Sequence, residues 1–192
     1  MARNPEATRA ALLAAALDEF SEHGYSGSRI ERISARSAVN RERIYAYFGG
    51  KQGLFEATLS EQLSSTLDGV PVNGTGVEAI VGFALDYYAL IIDDPRLARL
   101  IHWEGLELEN PIDLGVRTAR ASGKVDELRA AHPGMSCATA EYTLLTIVTL
   151  SHACTATPNV RSVVLGADAR PDRDRSIIAA ATAAAAAQPL AD

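Results

Sequence analysis

Positions 40 to 51 read Asn-Arg-Glu-Arg-Ile-Tyr-Ala-Tyr-Phe-Gly-Gly-Lys. On a helix, Arg41, Glu42 and Tyr45 stand at i, i+1 and i+4 and share a face, with Arg43 and Tyr47 beside them. An arginine fork matches two acceptors on a guanine edge, and a glutamate accepts from cytosine. Tyrosine hydroxyls and the Lys51 ammonium suit phosphate oxygens, contacts that fix register without reading sequence. Gly49 and Gly50 leave the start of the next helix open, and its N–H groups, with Lys51, favour a phosphate. Taken singly, these residues also fit a solvated surface helix. As an ordered set they point to recognition of DNA through base edges and backbone.

That face needs a scaffold. A first short helix is expected from Ser28, with Ser28 as N-cap and Glu31 completing a capping box. Ile30 and Ile33 form its buried side, while Arg29, Arg32 and Arg36 point elsewhere. Arg36-Ser37-Ala38 reads as the turn, where a small residue lets two helices cross closely. Asn40 is the expected cap of the second helix, and Val39, Ile44 and Phe48 should face inward. Upstream, a helix from Glu6 to His23 carries Leu12, Leu13, Ala16, Leu17 and Phe20 on one face. Gly24 ends it as a C-cap, Tyr25 packs beneath the head, and residues 1–5 form a loose arm. The pattern is a helix-turn-helix preceded by a third helix.

Ile33-Ser34, Ser37-Ala38-Val39-Asn40, Glu42-Arg43-Ile44-Tyr45, Tyr47-Phe48, Lys51 and Leu54 resemble the DNA-binding region of the tetracycline-repressor (TetR) family of bacterial transcription regulators. The likeness covers about the first quarter of the chain. Ala38, Asn40, Glu42 and Tyr47 depart from the family pattern, mainly in the turn and on the reading face, which leaves the operator sequence open. The resemblance implies an all-α homodimer. Its three-helix DNA-binding head would precede a helical C-terminal body that binds a small-molecule effector and dimerises. Carried over, Ser28 and Arg29 approach the DNA backbone, Arg41, Glu42, Arg43, Tyr45 and Tyr47 form the reading surface, and Lys51 holds phosphate. Repression, with release from a near-palindromic double-stranded operator by the effector, rests on the resemblance alone.

The formal charge of the 192-residue chain is -6, which by itself argues against a polyanion partner. Its distribution reverses that. Through residue 53 eight Lys/Arg face six Asp/Glu, a net +2, and the remainder carries ten against eighteen, a net -8. A basic head on an acidic body binds DNA locally and in a salt-dependent way. Cys137 and Cys154 fall on one expected helix, ~25 Å apart at ~1.5 Å rise per residue, beyond disulfide reach. They read as free buried thiols, and no Cys/His spacing suggests a metal. No apolar leader opens the chain, and the expected location is the bacterial cytoplasm.

The functional boundary is placed near Gly50, with residues 1–50 as DNA-binding domain and 51–192 as effector-binding and dimerisation domain. A connector helix runs from Lys51 to about Leu67, and Asp68–Gly76 breaks the chain. Helices follow over Val77–Ile92, from Pro95 to about Leu106 with Asp94 at its N-cap, over Asp113–Ala131 with an interruption near Ser122-Gly123, and over Ser136–Thr157. Asn159–Arg170 reads as a loop or short helical turn, and a last helix starts near Pro171 with an alanine run at 179–187. The Ser136–Thr157 helix is apolar nearly all round (Leu144, Leu145, Ile147, Val148, Leu150), which indicates burial in the core or against a second subunit. Its Glu141, threonines and His152 exclude a membrane span. Phe83, Tyr87, Tyr88, His102 and Trp103 are the candidate effector-pocket residues, apolar bodies with a few polar handles, although plain core packing suits each one alone. No nucleophile elbow, phosphate loop or dinucleotide glycine pattern is present, so no catalytic residue and no cofactor is expected. The rival to a small effector is a body that docks a protein partner.

Overall fold

The computed structural model describes residues 4–166 and 171–190. Among them are ten helices and no strand: α1 (Pro5–Gly27), α2 (Ile30–Ser37), α3 (Arg41–Phe48), α4 (Lys51–Leu67), α5 (Gly76–Asp93), α6 (Arg96–Glu107), α7 (Leu114–Ala131), α8 (Cys137–Ala156), α9 (Pro158–Leu165) and α10 (Pro171–Ala186). They form two compact units, Met1–Ser64 with Arg96–Leu114, and Ser65–Pro95 with Gly115–Asp192. The boundary expected at Gly50 falls inside the first unit, between α3 and α4.

In the first unit α1 packs on α2 and α6, and α2 on α3. Asn4 caps α1 by accepting the Glu6 N–H (3.1 Å), with Pro5 as the first helical residue. The core gathers Leu12, Ala16 and Phe20 from α1, Ile33 from α2, Ile44 from α3, Leu54, Phe55 and Leu59 from α4, and Leu100 from α6. Each buried Leu, Ile or Phe contributes about 1.5–3 kcal/mol. Phe20 meets Phe55 edge to face with centroids 4.9 Å apart, and Tyr25 lies 5.4 Å from Phe55, as expected for a ring beneath the head.

Three local expectations are corrected here. α1 does not end at Gly24: the chain kinks there, with φ 71 and ψ -178, and makes one more turn to Gly27. A Cβ at Gly24 would sit 2.8 Å from two carbons of the Trp103 indole, so that close approach requires glycine as well as the positive φ. No capping box forms at Ser28: Arg29 is the N-cap residue of α2, and the Ser28 hydroxyl donates to the Tyr25 carbonyl (2.8 Å). Arg36 and Ser37 belong to α2, and the turn is Ala38–Asn40, with Ala38 left-handed at φ 51.

In the second unit α5, α8 and α10 pack on one another. Ile80, Phe83, Ala84, Tyr87 and Ile91 of α5 meet the buried rows Ala140–Leu144–Ile147 of α8 and Ile178–Ala186 of α10. Ser136 caps α8 by accepting the Thr139 N–H (3.1 Å). The Lys124 ammonium of α7 is buried, but it donates to the Val70 carbonyl (2.8 Å) and Glu127 (2.7 Å) and lies 5.2 Å from the Phe83 ring.

The 159–165 stretch is helix α9, since Pro158 starts it without a lost hydrogen bond. α7 runs uninterrupted through Ser122 and Gly123, and Asp94 is the C-cap residue of α5, its N–H donating to the Leu90 carbonyl (3.0 Å). The α8 surface is not all buried in the single chain, for Tyr142 is 61% and Leu145 57% exposed. Cys137 is half-buried at the solvent side of the first α8 turn, its thiol 3.7 Å from Glu141, and is not a core residue. The expectations for the Cys154 thiol and for residues 1–3 and 167–170 lie outside the described residues. Among the described residues no helix is long and apolar enough to cross a membrane.

Candidate nucleic-acid interface

The candidate interface is built on α3, and what fixes α3 is its buried side. Ile44 is fully buried and Val39 nearly so. Arg41, Glu42, Arg43 and Tyr45 are therefore turned to solvent, with Tyr47 half-buried. Asn40 holds the N-cap position by its backbone, the Arg43 N–H donating to its carbonyl (3.0 Å), while its side chain makes no cap bond. Gly49 closes α3 in the left-handed conformation, its N–H on the Tyr45 carbonyl (2.9 Å). At Gly53 a Cβ would fall 1.9 Å from the Phe48 carbonyl oxygen, so the close α3–α4 corner requires glycine there.

α2 is held from below by Glu19, a buried carboxylate on the otherwise apolar face of α1. Its Oε1 accepts the Arg29 N–H (2.9 Å) and the Arg32 Nε–H (2.7 Å). Burial alone would raise the Glu19 pKa. The Arg32 guanidinium and the Arg29 N–H outweigh it and hold the carboxyl below its ordinary value. Glu19 thus satisfies the Arg29 N–H at the start of α2, where a capping box was expected. Arg36 is also engaged with α1, 3.2 Å from Asp18. Among the described residues the Arg29 and Arg43 guanidiniums have no ion-pair partner, and Arg41 has only the exposed Glu42 at 3.6 Å.

Lys51 opens α4, and its ammonium points back at the α1–α2 corner. It donates to the Ser28 carbonyl (2.8 Å) and the Ser26 carbonyl (3.4 Å) and lies 4.9 Å from the Tyr25 ring. Burial lowers its pKa, against the pull of Glu107 and Glu19. Glu107 of α6 accepts the Ser26 N–H (2.9 Å), so the same corner is held from a second side. Of the eight residues singled out for DNA, Arg29, Arg41, Glu42, Arg43 and Tyr45 are exposed and Tyr47 partly so. Lys51 has one of its three donors left, and the Ser28 hydroxyl is buried and already engaged.

The chain matches a model described as bacterial regulatory proteins, tetR family, over residues 12–58, and one described as tetracyclin repressor-like, C-terminal domain, over residues 79–184. The chain belongs to the TetR family. It is 42% identical over 106 residues to the HTH-type transcriptional repressor SCO4008 of Streptomyces coelicolor, covering 55% of this chain and 54% of that protein. It is 41% identical over 113 residues to the HTH-type transcriptional repressor NicS of Pseudomonas putida, covering 55% and 51%. The chain thus matches about half the length of these curated relatives. The likeness in fold reaches beyond these stretches: the putative transcriptional regulator SCO4942 of S. coelicolor superposes with TM-score 0.74 at 24% identity, covering 91% of this chain and 96% of that one. A TetR variant of Acinetobacter baumannii, solved with minocycline, gives TM-score 0.61 at 16% identity over 92% of each chain.

The residues expected to line an effector pocket fall into two groups. Phe83, Tyr87 and Tyr88 are buried on α5 in the second unit. His102 and Trp103 are on α6 in the first, with His102 exposed and Trp103 against Gly24. The chain changes unit after Pro95, between the two groups. The partner of Tyr87 is instead His152 of α8, with the phenol oxygen 3.0 Å from Nε2 and the rings stacked at 5.9 Å. An imidazole on an otherwise apolar helix was the available signal. Glu19, beside Phe20 on the core stripe, was a similar one in the head.

Proposed function

We propose that this protein is a dimeric, ligand-responsive transcriptional repressor. Arg41, Glu42, Arg43 and Tyr45 of α3 read base edges in the major groove, while Arg29, Tyr47 and the remaining Lys51 donor meet phosphates. Two heads engage a near-palindromic operator with half-sites ~34–36 Å apart. The observation that carries this reading is the opposition on α3: a fully buried Ile44 against an exposed face of two arginines, a glutamate and a tyrosine. In function, residues 1–50, with Lys51 at the start of the next helix, supply the DNA contacts, and the rest of 51–192 the effector and dimer contacts, in a bacterial cytoplasm.

Dimerisation uses the outward faces of α8 and α10. Tyr142 and Leu145 stand exposed on one, and Ile177 with the small Ala180 and Ala184 on the other. A small-molecule effector, the class of ligand seen in the Acinetobacter TetR variant, binds in the second unit around Phe83, Tyr87 and Tyr88. It releases the operator by favouring a conformer with a different head spacing, with coupling of about 1–3 kcal/mol.

The test separates base reading from positioning. Duplexes are selected from genomic fragments with the purified protein, then rebound by variants. Arg41→Ala should relax preference at one base position per half-site. Lys51→Ala should weaken all sequences alike, since it loses both a phosphate donor and the clamp on Ser28. Identical preferences in the two variants would contradict the assignment.

A further inference from the structure

Hydroxyls inside helices have an easy partner in the carbonyl one turn back. Thr58, Ser64, Thr146 and Thr157 all take it, at 2.7–2.8 Å. Thr143 and Ser151 of α8 and Thr182 of α10 do not. All three are fully buried, and none of their oxygens has a hydrogen-bond partner. Buried hydroxyls without partners are rare and destabilising, and three on mutually packed helices call for an account.

Their placement supplies one. The Thr139 hydroxyl donates to the Gln188 carbonyl (2.8 Å) and the Ser136 hydroxyl to the Leu190 carbonyl (2.7 Å), so the end of α10 is tied to the start of α8 and the two run antiparallel. Counting from that tie at ~1.5 Å per residue, Thr143 lies ~6 Å and Thr182 ~9 Å along the pair, close to one level. Ser151 is two turns beyond Thr143 on the same row, ~12 Å further. Beside Ser151 sits the Tyr87–His152 pair. Between the two levels on α8 stand Ile147, fully buried, and Leu144, nearly so.

Among the described residues the buried polar side chains of α5, α8 and α10 include no carboxylate, ammonium or guanidinium. The buried Lys124 ammonium of α7 beside Phe83 and the nearby Asp174 are already paired, with Glu127 and Arg161. An ion brought here would lose its hydration without gaining a counter-charge, which strongly disfavours it.

We propose that the effector of this protein is an uncharged, elongated, mainly apolar molecule with hydrogen-bonding groups near both ends, bound among α5, α8 and α10. One end meets Thr143 and Thr182, and the other meets Ser151 and the Tyr87–His152 pair. This rests on the ligand-responsive reading above and adds the chemical class of the ligand.

Three probes of one length test it: the octanediol with terminal hydroxyls, octanedioate, and the corresponding terminal diamine. Each is added to the full chain without DNA, and the melting temperature is followed. The diol should raise it, the dianion and the dication should not, and the Thr143→Val/Ser151→Ala/Thr182→Val variant should lose the response. An equal or larger rise with a charged probe, no rise with the diol, or an undiminished rise in the variant would overturn the proposal.

Urea unfolding gives a second reading that needs no probe. If the hydroxyls are held for a ligand, Thr182→Val alone and the triple variant should fold at least as stably as the parent. A tenfold or greater loss in the folding constant would make them structural and overturn the proposal. Failure of the parent chain to prefer any duplex would strike the regulatory reading instead, and neither measurement here depends on DNA.

Discussion

The first unit and the interior of the second treat most of their buried polar groups differently. Around α2 and α3 most are tied down: Glu19 Oε1 holds α2 by two donors while its Oε2 has no hydrogen-bond partner, Lys51 clamps two carbonyls, Glu107 takes the Ser26 N–H, and the Ser28 hydroxyl is engaged. Inside the second unit Thr143, Ser151 and Thr182 are left without partners. A DNA-reading head gains from having its geometry fixed before it meets the groove, because ordering on contact subtracts from affinity. A site that must accept a ligand keeps polar groups in reserve and gives up stability to do so. The exposed faces differ as well. That of α3 is arginine, glutamate and tyrosine, suited to DNA, while that of α8 carries Leu145 and Tyr142, suited to a second copy.

The contrast can be broken at several points. Gly53→Ala places a methyl against a backbone oxygen and should destabilise the protein by about 3 kcal/mol. An unchanged urea midpoint would show the α3–α4 corner to be loose, and with it the idea of a fixed head. Leu145→Glu puts a charge on the outward face of α8 and should weaken dimerisation by about 2–3 kcal/mol. Sedimentation that still shows a dimer at low protein concentration would move the interface elsewhere.

Glu19→Gln should lower stability by about 2 kcal/mol. This is less than the ~3–5 kcal/mol of a fully buried pair, because the exposed part of Arg32 can rehydrate. The pH dependence has a definite sign. Glu19 has a depressed folded pKa, so its contribution is complete above the unfolded value of about 4.3 and is lost as pH falls through the folded value. The parent should therefore lose stability below about pH 4.3 through a component that the Gln variant lacks. Superimposable acid limbs would show that the carboxylate is not what holds α2. The smallest effect is expected from Ala38→Gly, which relieves a left-handed alanine but frees the unfolded chain. A net gain of about 0.5 kcal/mol should appear as a small rise in urea midpoint, and a loss would mean that the Ala38 methyl makes a contact worth more than its strain.

Much of the head was legible because its signals are local. The spacing of Val39, Ile44 and Phe48 set the inward side of α3, although Phe48 is only partly buried. What escaped were contacts between elements: Glu19 replaced the Ser28–Glu31 capping box, and Lys51 turned to the α1–α2 corner. Apart from α9, which was expected as a loop or short turn, the helices of the second unit were legible from their periodicity, with α8 placed within a residue at each end. The division of the candidate pocket residues between units was not, since Trp103 and His102 are near Tyr87 in sequence but belong to the first unit. His152, 65 residues from Tyr87, is its actual partner. Long-range pairing of that kind leaves no periodic trace in the chain.

The central claim is that α3 presents a base-reading face and that two copies act together. The direct measurement is selection from a pool of random duplexes by the purified full chain at moderate salt, followed by sequencing of what is retained. The account predicts enrichment of one near-palindromic sequence with half-sites one helical turn apart, lost when Arg41 and Arg43 are both changed to alanine. Uniform retention across the pool, or enrichment that survives the double change, would contradict it.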